Sequence, residues 1–94
     1  MTISHSTRIT AKPHVFFAEV DDELVLFDPE KGHYFGAGQV GGRVWSLIKE
    51  QQSVETILDE IEMEFDIDRV TCEKDILTFL EELRNAHLIE VSAD

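Results

Sequence analysis

The chain has 94 residues, a formal net charge of −12 and one cysteine, Cys72. A chain of this length forms one domain that removes roughly 60 to 70% of its unfolded surface from water, which leaves little volume for a deep catalytic cavity. Its 43% hydrophobic and 30% charged residues exclude a disordered polyanion. A lone cysteine excludes an internal disulfide, and residues 1–10 lack the apolar centre of a secretory signal. No apolar run approaches the ~20 residues of a membrane-spanning helix, so we expect a cytoplasmic protein with no membrane segment.

The first half of the chain predicts three antiparallel strands. Residues 13–20 and 23–28 are short runs rich in Val, Phe and Leu, and the acidic pair between them makes a hairpin turn. A second turn follows at residues 28–32, because it contains a proline and Gly32, which can adopt a positive φ. Residues 33–35 continue as a third strand, which completes a meander.

The second half predicts three helices. From Gln39 the hydrophobic period becomes helical, with Trp45 on the apolar stripe. Ser53 is a good N-cap for a second helix, and Thr71 can cap a third, longer one. Residues 88–91 then leave as a short strand. The order of elements predicts an α+β fold with a three-stranded antiparallel sheet followed by three helices, the outline of a winged helix-turn-helix.

The glycine-rich stretch at residues 36–42, GAGQVGG, opens the first helix. Its spacing matches neither the Walker pattern nor the dinucleotide fingerprint, and no Lys-Ser/Thr pair follows it, so a phosphate-binding loop is excluded. Each glycine inside a helix costs roughly 1 kcal/mol against alanine. Gly41 and Gly42 therefore indicate that another part of the chain approaches this helix closely.

The sequence supports no catalytic residue, no metal site and no cofactor. The four histidines lack the i, i+4 spacing and the paired cysteines that metal sites use; they are His5, His14, His33 and His87. Cys72 falls on an apolar helical stripe four residues before Ile76, which favours a buried thiol over a reactive one. The carboxylates of residues 59–68 have the spacing of a solvated helix face.

The charge of the third helix argues against nucleic acid as a partner. In a winged helix-turn-helix the third helix enters the DNA groove, where Lys and Arg neutralise phosphates. The charged residues of this third helix are mostly acidic: Glu73, Lys74, Asp75, Glu81, Glu82 and Arg84. These carboxylates would repel phosphates, so the chain is expected to have the winged helix-turn-helix outline without the DNA binding that is its commonest function.

A set of motifs resembles the PqqD family over about residues 13–91. The matching positions are Tyr34-Phe35, Gly41-Gly42, Val44-Trp45, Ser53-Val54, Ile57, Asp75-Ile76, Phe79-Leu80, Leu83 and Leu88-Ile89. The chain departs from the family pattern in having Ala37-Gly38 where Leu-Asn is usual, and Ala86-His87 where a glycine is frequent. On this alignment residues 1–12 are expected to be a flexible N-terminal tail and residues 92–94 a C-terminal tail.

The resemblance implies a non-catalytic recognition element for ribosomally made, post-translationally modified peptides. In that family the leader of a precursor peptide adds as a strand to the third strand and lies against the third helix. Glycines on both sides of residues 33–35 agree with this role, because they leave no bulk against an approaching backbone. The predicted peptide-binding residues are Lys31, Gly32, His33, Tyr34, Phe35, Gly36, Asp75, Ile76, Phe79, Glu82 and Leu83.

The pathway is a narrower interpretation. The first hairpin resembles the small discrete proteins that accompany lasso-peptide leader proteases and cyclases. The alternative is a peptide chaperone for a radical-SAM enzyme in pyrroloquinoline quinone or related peptide maturation. Two other classes also stay open: a self-associating scaffold, such as a homodimer paired through the third strand, and a diverged winged-helix regulator.

Overall fold

The computed structural model describes residues 3–21 and 23–92, and folds them into five strands and three helices. In chain order these are β1 (Arg8–Ala11), β2 (Phe16–Val20), β3 (Glu23–Asp28), β4 (His33–Ala37), α1 (Gly38–Lys49), α2 (Val54–Phe65), α3 (Arg69–Asn85) and β5 (Ile89–Ser92). Strands β2, β3 and β4 form an antiparallel sheet in that order, and β1 pairs with β5. The predicted α+β class, with a three-stranded sheet followed by three helices, is confirmed.

The central strand β3 determines which face of the three-stranded sheet meets the helices. Leu24, Leu26 and Asp28 are buried, whereas the alternate residues Val25 and Phe27 are only partly buried. Because side chains alternate along a strand, the first set points to the helices and the second to the opposite face. The sheet therefore has an inner face in the core and an outer face on which no helix of residues 3–21 and 23–92 packs.

Helix α1 packs against this inner face, α2 packs between α1 and α3, and α3 also contacts β5. Ser53 caps α2 as predicted, its Oγ accepting from the Thr56 N–H at 3.3 Å. The predicted cap of α3 is wrong: Asp68 is the N-cap, and its Oδ1 accepts from the Thr71 N–H at 3.1 Å. The hydrogen bonds from Thr71 hold the pKa of Asp68 below its usual value. None of the helices in the described residues is long and apolar enough to cross a membrane.

Helix α1 lies close to the sheet, as its glycines predicted. A Cβ added at Gly42 would lie 3.3 Å from the Leu24 Cβ, closer than most real contacts. Trp45, one turn further along, is only 2% exposed and belongs to the core. The glycine therefore lets helix and strand approach without displacing either backbone.

The expected flexible tail at residues 1–12 is wrong for residues 3–12, which belong to the folded domain. Strand β1 pairs with β5, and Ile9 is fully buried. The carbonyls of His5 and Thr7 accept from the first N–H groups of α2, at 3.0 Å each. These N–H groups have no partner inside their own helix, so the N-terminal segment completes the hydrogen bonding of α2. At the other end of the chain Ser92 belongs to β5, and residues 93–94 lie outside the described ranges.

Candidate functional site

Strand β4 is an open edge of the three-stranded sheet. It pairs with β3 on one side, and no other described strand pairs with its second side. An unpaired edge presents a row of backbone N–H and C=O groups to any extended chain that approaches it. A Cβ added at Gly32 or Gly36 would meet nothing within 4 Å, so the space at both ends of this edge is open. Gly32 also has a φ of +67°, as the predicted turn requires.

The side chains of β4 alternate between the two faces of the sheet. Phe35 stands opposite the buried Leu26 and therefore points inward. Tyr34 stands opposite Phe27 on the outer face, with ring centroids 4.7 Å apart, and is 75% exposed. A chain added to this edge would place alternate side chains on the same two faces.

A groove runs between the inner side of β4 and helix α3. Phe35 and Phe79 face each other across it, with ring centroids 6.1 Å apart. Beside Phe79 lies a cavity of about 240 Å³, lined on α3 by Asp75 and Ile76 and on α1 by Val40. Beside Phe35 lies a second cavity of about 300 Å³. The strand side of that cavity is formed by Lys31, His33, Tyr34 and Phe35, and its helix side by Asn85 and Ala86.

Seven of the eleven predicted site residues line the two cavities beside the Phe35–Phe79 pair. Residues 31 and 33–35 line one cavity, and Asp75, Ile76 and Phe79 line the other. Glu82 is exposed on α3. Leu83 is fully buried in the core and has no surface to offer a ligand.

The lining residues Val40, Asn85 and Ala86 were not predicted from the sequence. Val40 lies on the helical stripe of α1, and that periodicity was the available signal. Asn85 and Ala86 lie where α3 ends, and they line the cavity only because this end of the helix lies near β4 in the folded domain.

Charge around the groove is predominantly negative. Asp75 and Glu82 are both exposed on α3, and the strand side contributes Lys31. Two arginines of the helices are already engaged by carboxylates of α2: Arg43 contacts Glu64 at 2.8 Å, and Arg69 contacts Asp59 and Glu62 at 2.8 and 3.0 Å. The groove therefore suits a basic or neutral ligand better than an acidic one.

Cys72 lies beneath the cavity next to Phe79. It is 1% exposed, and its Sγ lies 3.8 Å from the Leu58 carbonyl oxygen. Burial raises the pKa of the Cys72 thiol, with a smaller contribution from Glu62. A nucleophilic cysteine needs a lowered pKa and access to solvent, so the interpretation of Cys72 as a structural thiol is confirmed.

These features define a small winged-helix domain whose open strand edge borders an apolar groove. Sequence comparison places it more closely: residues 23–89 match the model of coenzyme PQQ synthesis protein D (PqqD). The chain belongs to the PqqD family, as its motifs indicated.

Two solved structures resemble the whole domain. The structure of TbiB1 in complex with the TbiA(beta) leader peptide is 42% identical, covers 90% of this chain and 99% of its own, and has a TM-score of 0.80. The structure of lasso peptide synthetase B1 complexed with the leader peptide has a TM-score of 0.78 and covers 87% of this chain and 96% of its own. At 18% identity it supports the fold alone. No curated protein sequence matches the chain.

Proposed function

We propose that this chain binds the leader of a ribosomally made precursor peptide and presents it to a modifying enzyme, without catalysing a reaction itself. The observation that carries the proposal is the open edge of β4 beside the groove at Phe35 and Phe79. The 42% identical neighbour is a complex with a leader peptide, which supports this ligand class. The leader hydrogen-bonds to β4, and its inward side chains enter the two cavities beside the aromatic pair.

The pathway we propose is lasso-peptide maturation, with a leader protease or a cyclase as the enzyme. This proposal is supported by the first hairpin, which resembles those of discrete lasso-peptide proteins, and by the 42% identical TbiB1, whose structure holds a leader peptide. The alternative is delivery to a radical-SAM enzyme, as the PqqD family description allows. The precursor and the enzymes encoded beside the gene distinguish the two pathways.

Strand addition is tested with proline at two adjacent, exposed positions, His33 and Tyr34. Along the edge strand of an antiparallel sheet, successive N–H groups point alternately to the neighbouring strand and to solvent. One of His33→Pro and Tyr34→Pro therefore removes an N–H that would bond to the leader, and the other removes an N–H bonded to β3. We expect the first variant to stay folded and lose binding, and the second to destabilise the hairpin.

The probes are two synthetic peptides: the leader of the precursor encoded nearest the gene, and the TbiA(beta) leader. Titration calorimetry measures affinity, and amide hydrogen exchange measures protection of β4 in the wild type. Protection of alternate β4 amides on leader addition supports strand addition even if both proline variants unfold. Wild-type affinity in both folded variants, no change in β4 exchange, or failure of both peptides to bind would overturn the proposal.

Presentation to an enzyme requires a second surface, and we assign it to the outer face of the sheet. Phe16, Phe27 and Tyr34 stand opposite one another across the three strands, with Phe16 64% and Tyr34 75% exposed. Contiguous exposed apolar surface of this kind marks interaction sites. A second copy would bring another charge of −12 to the contact, so we favour an enzyme with an apolar patch bordered by basic residues over a homodimer.

Phe16→Ser tests this second surface, because Phe16 lies on β2, two strands away from the β4 edge. We expect leader affinity to stay unchanged while leader removal by the leader protease encoded beside the gene slows at least fivefold. An unchanged removal rate would contradict the assignment. Sedimentation of the wild type at rising concentration tests the homodimer separately, and a dimer lost in Phe16→Ser would assign the face to a second copy.

A further inference from the structure

The β3–β4 turn carries a cluster of three potential metal ligands, of which two are near neighbours in sequence and the third comes from the segment before β2. His14 precedes β2, Asp28 ends β3, and Glu30 lies in the turn itself. Each offers one ligand atom, and the three atoms lie within 4.8 Å of one another. The antiparallel pairing of β2 with β3 brings His14 and Asp28 together, so their separation along the chain concealed the cluster.

Distances in the cluster are too long for hydrogen bonds but suit a shared cation. His14 Nε2 is 3.6 Å from Asp28 Oδ1 and 3.7 Å from Glu30 Oε2, whereas N–H···O bonds span about 2.7 to 3.2 Å. Tetrahedral zinc bonds nitrogen and oxygen at about 2.0 to 2.2 Å, which separates neighbouring ligand atoms by about 3.3 to 3.6 Å. The two separations from His14 thus approximate the edges of a zinc tetrahedron, and the two carboxylate ligand atoms lie within 4.8 Å of each other.

The carboxylate of Asp28 is the second, independent observation. Its side chain is only 3% exposed, and Oδ1 accepts from the Glu30 N–H at 2.9 Å. Oδ2 is buried and has no hydrogen-bond partner among the described residues. A buried carboxylate oxygen without a partner is costly. Oδ1 is the oxygen 3.6 Å from His14 Nε2, and a cation bound by both oxygens of this carboxylate would also give Oδ2 a partner.

We propose that His14, Asp28 and Glu30 form a binding site for one divalent transition-metal ion, with zinc as the favoured ion. An imidazole with two carboxylates matches the nitrogen and oxygen ligands of zinc, and the fourth position is left to water. The net charge of −12 raises the local concentration of cations. The ion joins the segment before β2 to the turn that leads into β4, so its binding stabilises that turn. This site does not depend on the proposed leader-binding function.

The test is calorimetric titration of Zn²⁺ into the full chain, purified without a polyhistidine tag and stripped with a chelator. Visible absorption with Co²⁺ reports the coordination geometry. We expect one site per chain, a d–d spectrum of tetrahedral intensity, and a rise in the melting temperature on Zn²⁺ addition. His14→Ala and Asp28→Asn should each weaken Zn²⁺ binding at least tenfold.

The matched control is His5→Ala. His5 also lies beside one carboxylate, Glu73, at 2.9 Å, but this is a two-residue pair at hydrogen-bond distance. The His5→Ala substitution should leave Zn²⁺ affinity unchanged. Glu30→Gln is the variant least able to unfold the domain, because the Glu30 side chain is 72% exposed, and it should weaken binding about tenfold. Absence of a 1:1 site in the wild type, or equal losses in His5→Ala and His14→Ala, would overturn the proposal.

Discussion

Phe79→Ala is the sharpest perturbation of the groove. Phe79 is partly buried, lines the cavity of about 240 Å³ and faces Phe35 across the groove. An aliphatic or aromatic side chain buried in such a cavity contributes about 1.5 to 3 kcal/mol. Val40 and Ile76 would keep part of the cavity wall, so we expect a loss of about 1 to 2 kcal/mol, or roughly 5- to 30-fold in leader affinity.

The same substitution has a cost in folding, and this cost must be separated from the binding effect. A fully buried Phe→Ala change costs about 3 to 5 kcal/mol, so about 2 kcal/mol is expected for the partly buried Phe79. That loss lies below the total stability of about 5 to 15 kcal/mol of a typical domain, so the variant should remain folded. Circular dichroism and urea denaturation check the fold before calorimetry measures leader affinity.

The control for Phe79→Ala lies on the same helix. Val70→Ala truncates a residue that is 79% exposed in the first turn of α3 and does not line the groove. It should change leader affinity by less than twofold. Equal affinity of folded Phe79→Ala and Val70→Ala for the leader would refute the reasoning, because the helix side of the groove would then make no contact.

Three further predictions concern charge, the N-terminal strand and a helix cap. Glu82→Lys should slow leader association and flatten its salt dependence with little change in dissociation, since exposed rim charges mainly set the on-rate. Stopped-flow binding at two ionic strengths measures this. Equal association rates of the wild type and Glu82→Lys at low salt would leave Glu82 only a role in solubility. Ile9→Ala should lower the free energy of unfolding by about 2 to 4 kcal/mol because Ile9 is fully buried; a loss below about 0.5 kcal/mol in urea denaturation would contradict the packing of β1. Asp68→Ala should lower the urea midpoint at pH 7. The pKa of Asp68 is depressed in the folded state, so its contribution is present above its unfolded pKa, is lost as pH falls through the folded pKa, and the two midpoints should converge in that acid range.

Local patterns predicted the elements that depend on neighbours in sequence. The meander β2–β4 and the three helices follow from short periodic runs and turn residues, and each lies close to its predicted position. Strand β1 was missed because its four residues are too short for a periodic signal and its partner, β5, lies at the other end of the chain. Thr71 was predicted as the cap because threonine is a capping residue type; Asp68 is one too, and the structure shows that it is the cap.

The site divides in the same way. The β4 edge and Phe79 were predicted from the resemblance to the PqqD family, and the glycines beside the strand agreed with that role. Leu83 lies on the same apolar stripe of α3 as Phe79, but it is fully buried in the core. The hydrophobic pattern of the sequence does not distinguish stripe residues that face a ligand from those that pack in the core. His14 and Asp28 meet only after β2 folds back on β3, so no spacing rule along the chain could have joined them.

The pairing of β1 with β5 has a consequence for protein engineering. Arg8 and Ser92 are opposite partners in that ladder, so the first and last strands bring the two ends of the fold close together. A domain with adjacent entry and exit can be spliced into a surface loop of a host protein without separating the ends of that loop. The same adjacency allows a circular permutant in which a linker joins residue 92 to residue 3, so that the carbonyls of His5 and Thr7 still accept from α2, and new ends open at residues 50–52, between α1 and α2. Such a permutant would leave the β4 edge in place and could be grafted onto an enzyme as a single cassette.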